Sequence, residues 1–253
     1  MSDTKMKNPL PPFRGMMPIL PTAIHENGEV DEPSQRRLVQ YCLKCGAVAI
    51  GHLGGASEYF KIADDDRRRL IEIVVDEVQG RVPVFIGATA AATRAAVSHA
   101  ALAENLGADM LMVAMPYVAK PTREELFDYY RAVAEAVSIP IIIQDTAKSD
   151  ALLNIDLIWR MYEELPNIHF VKAEGQDFIS KSESLLKRSN GTMGVIGGAG
   201  GRHMIHLLRI GVTSFMTGTE ALDVHSAVVN AFLSGNEDEA ADIYYSRLLP
   251  YLM

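Results

Sequence analysis

The chain has only two cysteines in 253 residues, Cys42 and Cys45, spaced as CxxC. A zinc site needs further ligands, and no second CxxC and no HxxxH stands elsewhere. The pair falls inside a helical pattern, so two small buried side chains are expected, and a cytoplasmic compartment follows loosely. Long apolar runs are lacking too: none approaches the ~18 residues needed to span a bilayer. There is no long basic run, and the formal net charge is −8. Both facts argue against nucleic acid and acidic membranes as partners. The first thirteen residues are polar and then Pro-rich, with no apolar signal core, and read as a loose arm. What is present is an ordinary globular mixture, 48% apolar and 22% charged, which can bury a sizeable core.

Two kinds of segment alternate along that core. Apolar runs with strand character occupy residues 15–20, 47–53, 82–88, 109–115, 139–143, 168–172, 193–196 and 212–216. Between them lie stretches with helical spacing: 33–45, 64–78, 93–106, 122–137, 154–165, one ending near 188, 202–210 and 221–233. Glycines 46, 80 and 107 close the first three, and Thr122-Arg123-Glu124-Glu125 has the form of a capping box. The strands are near-continuously apolar, as strands buried on both faces are. Such alternation implies parallel pairing with right-handed crossovers. Eight units in about 240 residues fit a closed (β/α)8 barrel. A doubly wound open sheet is the alternative, but it normally carries a glycine fingerprint after its first strand, where Pro18 and Pro21 stand here. With no linker or low-complexity tract, the organisation predicted is an arm at 1–14, one barrel at 15–234 and the start of a C-terminal helical segment at 235–253.

Barrel active sites lie at the C-terminal ends of the strands. Those ends supply a short set of candidates: Gly54-Gly55-Ala56-Ser57-Glu58, Pro116-Tyr117, Gln144-Asp145-Thr146, Lys172 with Glu174, Gly197 to Gly201, and Thr217-Gly218. Lys172 is the most informative. It ends the strand Ile168-His169-Phe170-Val171-Lys172-Ala173-Glu174, and period 2 puts Phe170, Lys172 and Glu174 on one face. Burial favours the neutral amine, which can form a Schiff base with a ketone. The bland alternative is a lysine that snorkels to solvent. Small residues at Gly54 to Ala56 let amides approach a carboxylate. Gly197 to Gly201, opening the seventh helix, could hold an anion, phosphate included. Asp64-Asp65-Asp66 suits a helix start better than a metal. His52 and His203 read as structural.

The chain resembles the dihydrodipicolinate synthase/N-acetylneuraminate lyase family of Schiff-base barrels from Gly15 to Leu233. The likeness is carried by Gly54-Gly55-Ala56-Ser57-Glu58, Gly80-Arg81-Val82-Pro83-Val84, Pro116-Tyr117 and Phe170-Val171-Lys172-Ala173-Glu174. It implies that Lys172 forms an imine with the keto carbon of a 2-keto acid whose carboxylate is held at Gly55 and Ala56. It also implies no cofactor or metal beyond that imine, and a homo-oligomer, dimer or tetramer. The chain departs from the synthase pattern at four places. Gln144 stands for the proton-shuttling tyrosine, Gly55 and Ala56 for two threonines, Val118 for a second tyrosine and Ser149 for a substrate-binding arginine. Glutamine does not titrate and cannot be a general base. These departures resemble the sugar-acid branch, which dehydrates 2-keto-3-deoxy-L-arabonate. In that likeness Lys172 and Gln144 are the expected catalytic residues. Gly55, Ala56, Ser57, Glu58, Tyr117, Asp145, Glu174, Gly197, Gly198 and Thr217 are the expected substrate contacts. A pyruvate-dependent aldolase or a dihydrodipicolinate synthase-like enzyme of the same family, a keto-acid-binding barrel without catalysis and a phosphate-binding barrel enzyme remain alternatives.

Overall fold

The structure, a computed structural model, describes residues 12–118, 120–146, 153–175 and 177–253. Eight strands form one parallel sheet: β1 Gly15–Met16, β2 Ile50–His52, β3 Val84–Gly87, β4 Met110–Ala114, β5 Ile141–Asp145, β6 Ile168–Ala173, β7 Gly194–Gly197 and β8 Ser214–Phe215. Their order runs β1-β8-β7-β6-β5-β4-β3-β2. The sheet closes where β1 continues beside β2: Ile19 bridges Gly51 in parallel, and Leu20 N–H donates to Gly51 O at 2.8 Å. The eight intervening helices are α1 Glu32–Lys44, α2 Asp64–Val78, α3 Thr93–Asn105, α4 Arg123–Ala136, α5 Ile155–Glu164, α6 Phe178–Arg188, α7 Met204–Arg209 and α8 Leu222–Leu233. This is the (β/α)8 barrel expected from the alternation.

Local chemistry sets the boundaries. The Thr122–Glu125 capping box forms: Thr122 N–H donates to Glu125 Oε2 at 2.7 Å, and Glu125 N–H to Thr122 Oγ1 at 3.3 Å. Asn154 caps α5 through Leu157 N–H. The three acids Asp64 to Asp66 fill the first turn of α2, where they favour the dipole. β1 is shorter than its apolar run because Pro18 has no N–H to give the ladder. The segment from Glu237, expected as one helix, divides into α9 Glu237–Ile243, a π-turn Tyr244–Leu248 and α10 Leu249–Leu252. Pro250 cannot donate to residue 246, and the ladder widens just before it, with Leu249 N–H bonding Tyr244 O five residues back.

Two apolar layers result. Between sheet and helices lies the larger core, which includes Leu70, Val113, Tyr130, Ile158 and Val229. Inside the barrel, Met17, Phe85, Met110, Met112, Ile142, Phe170, Ile196 and Met216 interdigitate. That inner plug carries the site above it. On β5, Gln144 follows Ile142 on the inward face; on β6, Lys172 follows Phe170. The register pairs Gln144 with Lys172 directly.

Candidate active site

A cavity of about 290 Å³ lies above the plug, lined by Ile19, Gly55, Ala56, Gln144, Lys172, Glu174, Gly200, Met216, Thr217 and Gly218. Its size is just below the ~300–1,000 Å³ usual for small-molecule sites. It suits a short keto acid and is too small for a dinucleotide.

Lys172 and Glu174 form the polar centre. Lys172 is 6% exposed, and its Nζ lies 2.8 Å from Glu174 Oε2. The same oxygen lies 3.4 Å from Gln144 Nε2, and Ala199 N–H donates to Oε1 at 2.9 Å. Both carboxylate oxygens are therefore engaged, one towards the amine and one on the β7 turn. That turn must come close: a Cβ on Gly198 would fall 2.2 Å from Glu174 Cγ. The snorkelling alternative for Lys172 does not match a buried Nζ paired with Glu174.

The wall opposite is the turn after β2. Leu53 is buried at φ 60, an uncommon left-handed setting for a residue with a Cβ. It swings the chain out of the strand and into the short 3-10 turn Gly55–Ser57. The amides of Gly55 and Ala56 precede the turn's first bond, Ser57 N–H to Gly54 O, and both residues line the cavity. The buried guanidinium of Arg67 supports the turn from beneath, donating to Gly87 O and Tyr59 O at 3.3 Å each.

Several expected contacts are placed elsewhere. Ser57 Oγ donates to Leu20 O at 2.5 Å and accepts from Gly54 N–H, so it ties the turn together and does not line the cavity. Glu58 pairs with Lys61 on the surface at 2.5 Å. Asp145 is fully buried, with Lys181 Nζ 2.6 Å from Oδ2, behind the site and not in it. Gly197 and Gly198 shape the turn without facing the cavity; its neighbour Gly200 does. Tyr117 sits at the rim, 46% exposed and edge-on to Tyr59 at 5.8 Å. Thr217 lines the cavity, its hydroxyl on Gly218 O at 2.9 Å. Ser149 lies outside the described residues. His52 is buried, with Nδ1 accepting from Leu53 N–H at 2.8 Å, and so braces the β2 turn. Among the described residues no cluster of three or more His, Cys, Asp or Glu side chains could hold a metal ion.

The sequence reading named Gly218 only as a strand end and missed Ile19 and Met216 in the lining, and Lys181, Arg67 and His225 in the support. The last three had a visible signal. Each sits on the buried stripe of its helix, Lys181 with Ser182 and Leu185, Arg67 with Leu70 and Ile71, His225 with Leu222 and Val229. A polar side chain in that register must find a partner inside.

Comparison with known proteins agrees with this geometry. Residues 12–251 match the model of the dihydrodipicolinate synthetase family. L-2-keto-3-deoxyarabonate dehydratase of Azospirillum brasilense is 31% identical over 94% of this chain and 78% of its own. The 4-hydroxy-tetrahydrodipicolinate synthase of Methylibium petroleiphilum is 39% identical over 52% of this chain, and the match spans 45% of that synthase. The chloride-inhibited dihydrodipicolinate synthase of Acinetobacter baumannii, solved with pyruvate, superimposes with a TM-score of 0.85 at 25% identity, covering 94% of this chain and 82% of that one. A barrel with a lysine at the end of β6, matched along nearly its whole length, is thus an enzyme of the dihydrodipicolinate synthetase family, the Schiff-base lyases that use a lysine imine in place of an external cofactor.

Proposed function

We propose that the protein is a Schiff-base lyase that dehydrates a 2-keto-3-deoxy sugar acid of the L-arabonate type. The observation that carries this reading is the buried Lys172–Glu174 pair, with the non-titrating Gln144 beside it where a proton-relaying hydroxyl would otherwise stand. The substrate carboxylate rests on the Gly55 and Ala56 amides. The Lys172 amine adds to the C2 ketone and, with one proton taken up from solvent, water leaves to give a protonated imine; the final hydrolysis releases that proton again. That imine draws electrons from C3, and Glu174, the one carboxylate in the lining among the described residues, accepts the C3 proton. The resulting enamine pushes its electron pair towards C4 and expels the hydroxyl, which leaves as water with the proton from Glu174. Water then hydrolyses the imine, freeing the product and restoring the amine. Glu174 serves as base and then acid, because Gln144 can bind a hydroxyl or a water but moves no proton.

Condensation of pyruvate with aspartate semialdehyde is disfavoured by the same residues. A synthase relay of hydroxyls cannot be assembled from Gly55, Ala56, Gln144 and Val118. Each missing proton-transfer group costs ~10²–10⁴-fold in rate. In this reading the protein is a cytoplasmic homo-oligomer, dimer or tetramer, and it takes no partner beyond its small substrate.

The test has two parts on one preparation. Incubation with pyruvate and borohydride, followed by mass spectrometry, is expected to give a reduced adduct on Lys172; an adduct on another lysine, or none, overturns the imine assignment. Side-by-side assays are expected to show turnover of 2-keto-3-deoxy-L-arabonate and little condensation with aspartate semialdehyde. The reverse result overturns the choice of reaction.

A further inference from the structure

The turn that holds Glu174 is built against the ordinary preference of its backbone. Ala199, Gly200 and Gly201 sit in succession at φ 53, 65 and 80. Glycine adopts such values readily, but alanine seldom does. In this turn the Ala199 N–H donates to Glu174 Oε1 at 2.9 Å. Something outside the turn must hold it there.

His225, from α8, is the group in contact. Its ring is 1% exposed, with Nε2 3.0 Å from Gly200 O and Nδ1 2.7 Å from Ala221 O. A Cβ on Gly201 would fall 2.9 Å from both Cδ2 and Nε2, so the ring is packed flush on the turn. The continuous line of contacts runs from Ala221 through His225, Gly200, Ala199 and Glu174 to the Lys172 amine. His225 is not itself part of the cavity lining and reaches it only through Gly200.

We propose that His225 is a positioning residue for Glu174. By fixing Gly200 O it keeps the Ala199 N–H on one carboxylate oxygen, which leaves the other aimed at the reacting atoms. The step that depends on it is proton removal from C3. Imine formation at Lys172 depends on it far less. The inference rests on the keto-acid reading above.

Pyruvate separates the two steps. Its C3 methyl exchanges protons for deuterium in D2O only if the enamine forms, which proton NMR follows; borohydride trapping reports the imine alone. If the wild-type protein neither traps nor exchanges, the keto-acid reading fails, whatever His225 does. Where the wild type does both, H225F is expected to trap at a rate within about threefold of wild type while C3 exchange falls about 10- to 100-fold, the range for a carboxylate displaced by about an ångström. H225Q, whose amide can donate to Gly200 O, is expected to recover most of the exchange. H225L replaces H225F if the latter does not fold. Unchanged exchange in the folded variant, loss of exchange and trapping in equal proportion, or no recovery in H225Q each overturns the assignment.

Discussion

His52 couples one buried side chain to the stability of the whole chain. Burial pushes its pKa down from 6.5 to about 3; the nearby Arg67 cation adds to this, and the Pro21 carbonyl opposes it. The folded protein therefore keeps His52 neutral across the range where the unfolded chain takes up a proton. Between those two values the unfolded state binds one proton more, so stability is full above about 6.5 and falls with pH by ~1.4 kcal/mol per unit. Urea unfolding at about pH 7.5 and about pH 5 should show the wild type losing about 2 kcal/mol more than His52→Gln over that interval. Parallel pH dependences would mean that His52 is not the buried neutral group described. The same neutrality suits its contact, since only an unprotonated Nδ1 can accept the Leu53 N–H that turns the chain towards Gly55.

Between elements, the Asp145–Lys181 pair joins α6 to the end of β5. Lys181 is 8% exposed and Asp145 not at all, and Lys181 Nζ also donates to Leu153 O at 3.0 Å. Asp145 O in turn receives Glu174 N–H at 2.9 Å, so the pair stands directly behind the catalytic strand ends. Removing Lys181 takes the close cation from a fully buried carboxylate, and losing one member of such a pair typically costs ~3–5 kcal/mol, whereas removing both is far milder. Lys181→Met should therefore lose about that much stability in urea unfolding, and the double variant with Asp145→Asn should regain at least half of the loss. A single variant within about 1 kcal/mol of wild type would show that the charge is not held as described. This pair also explains why Asp145, which the strand-end rule offered as a substrate contact, is occupied elsewhere: β5 places it facing α6, one residue out of phase with Gln144.

The whole barrel exposes an apolar rim beside its mouth. Phe60 is 55% exposed, Tyr117 46% and Val118 77%, with Tyr59 joining them edge-on. Apolar groups gathered on one surface mark association sites more often than chance. Light scattering at about micromolar concentration is expected to give the mass of two or four chains. A single-chain mass at that concentration contradicts the assembly proposed above. The described helices include none long and apolar enough to cross a membrane.

The barrel, its strand ends and Lys172 at the mouth were legible in the sequence, because they follow from period and chain order. Eight apolar runs between helical stripes permit few closed arrangements, and alternation on β6 carries Phe170, Lys172 and Glu174 inward together. Which polar groups then meet was decided by tertiary structure alone. Ser57, Glu58 and Asp145 have the chemistry of substrate contacts, but a one-residue change of phase at the end of a strand or turn sends each to another partner: Leu20 O, Lys61 and Lys181. Conversely, His225 and Lys181 lie far along the chain from the loops they brace, while Arg67 braces a turn close to it in sequence. Chain order cannot say which carbonyl a buried donor will meet; that is fixed only when helices pack against the closed sheet and every buried polar atom must find a partner.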